Sequence, residues 1–157
     1  MQANDYDSFA EAYSADNETN LVNGHYERPA MLALAGDVRG RRVLDGGCGS
    51  GPLAAALLTR GATVTGFDSS AAMVELARQR LGEESRVHVA DLGQPAILTY
   101  WHRPLHATTD AFTEAGFRVA VVSEPPVSPE TPREMLPPHL EGRRSFMSLI
   151  FFVLDAN

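Results

Sequence analysis

Cysteine is almost missing from this chain, and the one present, Cys48, cannot form an internal disulfide. A zinc site built on several cysteines is excluded for the same reason, and no metal is expected. Basic residues are in the minority, with 13 Lys and Arg against 20 Asp and Glu and a formal net charge of -7. An acidic surface repels phosphate backbones, so no nucleic acid is expected as a partner. The short cluster Arg39, Arg41 and Arg42 and the pair Arg143–Arg144 do not make a basic patch. Apolar runs long enough for a membrane span are also lacking. Met1 to Asn20 is polar and acidic, without the apolar centre of a secretion signal, so the cytoplasm is the expected compartment.

What is present suits a packed core. Hydrophobic residues make up 44% and charged residues 21% of 157 positions, which fits one domain. Tyr6, Phe9, Ala10 and Tyr13 share one helix face, and a second helix is expected over His25 to Ala35, stopped by Gly36. Arg41 to Asp45 reads as a short buried strand. After a glycine-rich turn, Pro52 suits the first helical position, and the helix runs to Arg60. Ala62 to Phe67 is the next strand. Ser70 is a good cap for a helix through Leu81, with Met73, Leu76, Ala77 and Leu81 on its inner face. Arg86 to Ala90 is a third strand, ending at Asp91.

This strand–helix alternation predicts an α/β fold with a mostly parallel, Rossmann-like sheet and helices on both faces. Residues 1–36 supply N-terminal helices, 41–95 a βαβαβ unit, and 96–157 a shortened C-terminal part of one domain spanning 1–157. In that last part Ile97 to Trp101, Phe117 to Ser123 and Phe146 to Leu154 read as strands, the last of them central or well covered. Leu105 to Ala115 reads as a helix stopped by Gly116. Six of the ten prolines fall between Glu124 and Gly142, which reads as a long loop.

The segment Asp45-Gly46-Gly47-Cys48-Gly49-Ser50-Gly51 carries the chemistry. It has the form D-x-G-x-G-x-G, directly after a strand and before a helix. Glycines there let the backbone turn tightly and approach a ligand. Asp68, at the tip of the next strand, can accept hydrogen bonds from ribose hydroxyls. The nicotinamide fingerprint G-x-G-x-x-G fits poorly: only Gly49, Gly51 and Ala54 satisfy its looser form, and they fall late, inside the expected helix. The Gly-Lys-Ser/Thr of a phosphate-binding loop is absent. A plain strand-to-helix turn is the remaining alternative.

Tyr26-Glu27-Arg28-Pro29-Ala30-Met31-Leu32, Val43 to Gly51, Asp68 and Asp91 together resemble the small-molecule class I S-adenosylmethionine-dependent methyltransferases. The resemblance covers Tyr6 to Gln94. It resumes at Tyr100 to Pro125 and again at Phe146 to Ala156. It implies that Asp45 with the backbone of Gly47 and Gly49 holds the methionine part of the cofactor. Asp68 would take the ribose, Ser69 would join the cofactor contacts, and Asp91 and Leu92 would flank the adenine, with Asp91 accepting from its amino group. Tyr6 and Tyr13 would close the site, where an aromatic face suits a sulfonium. The implied reaction is methyl transfer from S-adenosylmethionine to a small-molecule acceptor, leaving S-adenosylhomocysteine. His106 is the candidate base, and Tyr26 and Tyr100 are candidates for shaping the acceptor site.

The chain departs from the family after Asp91. Only five residues separate Asp91 from Ile97, whereas a parallel crossover needs a dozen or more. An internal deletion, removing the fourth and fifth strand region, is the simplest account. It leaves the first strand without its usual neighbour, and an unpaired apolar edge invites pairing with a second copy. A homodimer is therefore expected. A degenerate, non-catalytic protein that binds S-adenosylmethionine or S-adenosylhomocysteine stands as the second functional reading.

Overall fold

The computed structural model describes residues 6–82, 85–90, 105–136 and 150–156. The chain divides into two units, Met1–Ile97 and Leu98–Asn157. The expected strand Ile97 to Trp101, the short segment Leu92 to Ala96, and the candidates Asp91, Leu92 and Tyr100 lie outside the described residues.

The first unit opens with a 3-10 turn at Tyr6–Ser8, followed by α1 (Ala10–Thr19). A wide π-type turn at Asn23–Glu27 leads into α2 (Arg28–Ala35). Both departures from the expected helices are local. Phe9, between the 3-10 turn and α1, has φ -138°, which no α-helix accommodates. The second helix begins one turn wider than α geometry, its N–H of Glu27 bonding to the carbonyl of Val22 at 2.7 Å.

Then come β1 (Arg42–Gly46), α3 (Pro52–Thr59), β2 (Thr63–Asp68), α4 (Ala71–Leu81) and β3 (Arg86–Val89). The strands form a parallel sheet in the order β1-β2-β3, with Val43 opposite Val64 and Gly66 opposite Val87. This is the βαβαβ unit the sequence predicts, with strand ends shifted by about one residue. Helices flank it. Among the described residues β1 pairs with β2 alone, and Leu44 in its middle is 68% exposed.

Local chemistry explains each turn of this unit. Pro52 occupies the first turn of α3, where a missing N–H costs nothing. The Ser70 side chain caps α4 by accepting from the Met73 N–H at 3.1 Å. Val38, Ala54, Leu57, Ala62 and Val64 form one buried cluster. Cys48, Val74, Ala77 and Val87 form a second. Val74 is buried completely, whereas Leu76, expected on the inner face, is only partly covered. Gly66 is the reason Cys48 fits there, since a Cβ at that position would stand 3.0 Å from the Cys48 sulfur.

The second unit holds α5 (Leu105–Glu114), β4 (Phe117–Ser123) and β5 (Phe151–Ala156). Gly116, with φ 84°, ends the helix where the sequence places the stop. β4 and β5 pair antiparallel, with Arg118 opposite Asp155, where the two form an ion pair. Phe112 of α5 packs on Phe152 of β5 with ring centroids 5.2 Å apart. Of the strand expected at Phe146 to Leu154, residues 146–149 lie outside the described residues, and Phe151–Ala156 is no central strand of a parallel sheet. Among the described residues it belongs to a two-stranded sheet, and its apolar residues are only half-buried. No helix among the described residues is long and apolar enough to cross a membrane.

Candidate functional site

The carboxyl ends of β1 and β2 open into a cavity of about 440 Å³ in the first unit. That is where parallel α/β sheets place ligands, because loops diverge there and helix N-termini point inward. Its floor is the turn after β1. Gly47 and Gly49 have φ of 75° and 53°, which glycine reaches without strain. The N–H groups of Gly47 and Cys48 both donate to the Phe67 carbonyl, at 2.9 and 3.0 Å. A Cβ at either Gly47 or Gly49 would meet no atom within 4 Å, so the backbone faces open space on that side.

Asp68 ties this turn to the second strand. Its Oδ2 accepts from the Gly49 N–H and its Oδ1 from the Ser70 N–H, both at 2.9 Å. The carboxylate expected to take the ribose thus also organises the glycine turn. Each of its oxygens keeps a further lone pair.

Asp45, at the end of β1, is only 9% exposed, and its Oδ2 has no hydrogen-bond partner. Burial raises its pKa, and the negative charges of Glu27 and Asp68 raise it further. Tyr13 is shifted upward too, first by burial and then by Tyr6 and Glu27. A buried acceptor beside surplus negative charge is an expensive arrangement without a cation. The Cys48 thiol is pushed up to about 11, chiefly by burial, which makes it a poor nucleophile.

An aromatic wall closes one side. The rings of Tyr6 and Tyr13 stand 5.3 Å apart, nearly edge-on, and Phe9 packs against both. α1 is tied to the floor by the Ser14 hydroxyl, which donates to Ser50 Oγ at 2.7 Å. Glu18 of α1 pairs with Arg80 of α4 at 2.5 Å, and Arg80 donates to the Ser50 carbonyl at 2.8 Å.

Of the residues expected at the site, Tyr6, Tyr13, Asp45, Gly47, Gly49, Asp68 and Ser69 all line this cavity. Tyr26 does not line it. Its side chain is fully buried, which corrects its expected place on an acceptor pocket. The wide turn sends Asn23, Glu27 and Arg28 to the cavity and leaves Tyr26 in the interior. His106 is the second residue of α5, in the second unit, and is exposed. Its role as a base rests on the resemblance alone. Asn17, Asn23, Glu27 and Met31 were missed. Their signal was the four-residue spacing, from Tyr13 to Asn17 and from Asn23 through Glu27 to Met31, which keeps one helix face toward one place.

Residues 43–120 match the methyltransferase domain family. Over 75 residues the chain is 40% identical to the magnesium-protoporphyrin O-methyltransferase of Rhodobacter capsulatus, covering 45% of this chain and 34% of that protein. Over 78 residues it is 50% identical to the ubiquinone biosynthesis O-methyltransferase of Bordetella avium (strain 197N), covering 47% of this chain and 32% of that protein. A solved TehB-like SAM-dependent methyltransferase from Corynebacterium glutamicum is 26% identical, with a TM-score of 0.42, over 57% of this chain and 47% of that one. The chain belongs to the class I S-adenosylmethionine-dependent methyltransferases. The cofactor of that class is S-adenosylmethionine, which becomes S-adenosylhomocysteine. The matched stretch spans about a third of the length of these two curated relatives.

Proposed function

We propose that the first unit binds S-adenosylmethionine in this cavity and that the protein transfers its methyl group to a small-molecule acceptor. The observation that carries the reading is Asp45, a buried carboxylate with an unpartnered oxygen beside an open glycine turn. S-adenosylmethionine answers that arrangement with an ammonium and a sulfonium. Asp45 would accept from the ammonium, Gly47 and Gly49 would let the methionine chain lie against the backbone, and Asp68 and Ser69 would take the ribose hydroxyls. Asp91 and Leu92 stay with the adenine as the resemblance implies. When bound, the cofactor supplies an electrophilic methyl carbon, whose bond to sulfur breaks as the acceptor's lone pair bonds to it. The protein contributes orientation and exclusion of water. The relatives named as O-methyltransferases favour an oxygen acceptor.

A second reading is specifically supported. Among the described residues β1 pairs with β2 alone, and Leu44 stands exposed on it. That edge fits a degenerate protein that binds the cofactor without turnover and covers β1 by forming a homodimer. Calorimetry with S-adenosylmethionine and S-adenosylhomocysteine tests the shared claim, and absence of heat with both defeats it. Release of labelled methyl to small phenols and quinols then separates enzyme from binder. Light scattering decides the assembly: a mass of 17.0 kDa rather than twice that value rejects the dimer.

A further inference from the structure

Asp7 stands outside the cavity that its neighbour Tyr6 lines. Its Oδ1 accepts two hydrogen bonds from the start of α4, one from the Ser70 hydroxyl at 2.5 Å and one from the Ala72 N–H at 3.0 Å. The Ser70 oxygen in turn accepts from the Met73 N–H. Two N–H groups of the first turn that lack a partner within the helix are therefore satisfied by side chains, one of these side chains lying 63 residues upstream of the cap it completes. A negative charge is favoured at that position by the helix dipole. Both bonds hold the Asp7 carboxyl below its ordinary pKa.

The connection continues into the site. Ser70 donates its N–H to Asp68, and Asp68 accepts from Gly49 on the cavity floor. An unbroken series of hydrogen bonds runs from the glycine turn through Asp68 and Ser70 to Asp7, which adjoins Tyr6. The body of α1 is held separately, through Ser14 on Ser50 and Glu18 on Arg80. Asp7 is the middle residue of the turn Tyr6–Ser8.

We propose that Asp7 is a positioning residue, a latch that docks the Tyr6–Ser8 turn on the start of α4 and so holds the Tyr6 ring against Tyr13 over the cavity. Opening the latch swings Tyr6 away and frees the bound ligand, while α1 stays in place. The inference rests on the reading of this cavity as the adenosyl cofactor site. It differs from that reading in assigning a residue that touches no cofactor to the control of cofactor exchange.

Three variants test it, namely Asp7→Ala, Asp7→Asn and, as a control for net charge in the adjoining groove, Glu11→Ala. Hydrogen exchange of the ligand-free protein is measured by mass spectrometry. Release of S-adenosylhomocysteine is measured by stopped-flow displacement. Asp7→Ala is expected to speed exchange at residues 6–9 but not at residues 14–19, and to raise the release rate roughly threefold to tenfold, the loss expected for one or two exposed charged hydrogen bonds. Asp7→Asn, which keeps an acceptor oxygen without the charge, falls between. Glu11→Ala changes neither. Unchanged exchange at residues 6–9 in Asp7→Ala overturns the latch, and faster exchange with unchanged release overturns its role as a gate. If the unaltered protein binds no adenosyl ligand, the cofactor reading falls and takes the gate with it, while exchange still decides whether Asp7 holds the turn.

Discussion

Replacing Asp45 by asparagine is expected to move stability and binding in opposite directions. The carboxylate is almost fully buried, carries an unpartnered oxygen, and sits near Glu27 and Asp68. Its pKa is raised above the ordinary 3.8, so ionisation is harder in the folded chain than in the unfolded one. The sign follows from linkage. A group with a raised folded pKa contributes its full stability below its unfolded pKa and loses it as pH rises through the folded value. At pH 7 the ionised Asp45 therefore costs stability. Asparagine keeps the shape, removes the charge, and can donate to a neighbouring carboxylate. The gain expected is about 1 kcal/mol, the scale of one unsatisfied buried polar group. For a chain of this size that is about 2–4 °C in Tm. The same change removes the partner of a cationic ligand, at roughly 10- to 150-fold in Kd for a charge-assisted hydrogen bond. Differential scanning fluorimetry at pH 7 and at pH 4, together with calorimetry using S-adenosylmethionine, reads both effects. The Tm advantage should shrink at the lower pH, where the unaltered aspartate becomes protonated. A variant that melts lower at pH 7, or that binds with unchanged affinity, would refute the reasoning.

Asp68→Ala is expected to weaken S-adenosylmethionine binding by about 1.5–3 kcal/mol, and it should also lower Tm, because the Gly49 and Ser70 N–H groups lose their acceptor. Equal affinity by calorimetry would remove Asp68 from the site. Gly49→Val should abolish binding while circular dichroism stays close to normal: the added side chain enters the space open above the turn, at a backbone cost of about 1–2 kcal/mol for its left-handed φ. Retained tight binding would show that the turn does not touch the ligand. Cys48, buried and with its pKa at about 11, should resist a thiol reagent at pH 8 in the native state and react only after denaturation. Prompt labelling of the folded protein would contradict the packing of Cys48 against Val74 and Val87.

Much of the first unit was legible because it rests on short-range chemistry. The glycines after β1, Pro52 at the start of α3, and Ser70 at the cap of α4 each impose one backbone geometry wherever they occur. The acids that line the cavity were legible for a related reason. The period of a parallel βαβ unit places residues at the tips of successive strands side by side, and Asp45 and Asp68 occupy such tips. The second unit was read less well. An apolar run such as Phe146 to Leu154 signals burial but does not say which partner covers it, and β5 took β4, antiparallel, over residues 151–156. Tyr26 failed likewise, since the turn at Asn23–Glu27 closes its hydrogen-bonded ring with one residue more than an α-turn, and that wider winding, not signalled by the sequence, decides which position faces the interior.

The amino-acid order alone determined where the chain turns, where its helices start, and which acids stand at strand tips, because these depend on residues within a few positions of one another. Only the tertiary structure decided that Asp45 is left with an unpartnered oxygen, that Asp68 organises the glycine turn, and that Asp7 completes the cap of a helix 63 residues away. Each of those facts is a meeting of groups distant in sequence, fixed by how the helices pack on the sheet, and no local spacing encodes it.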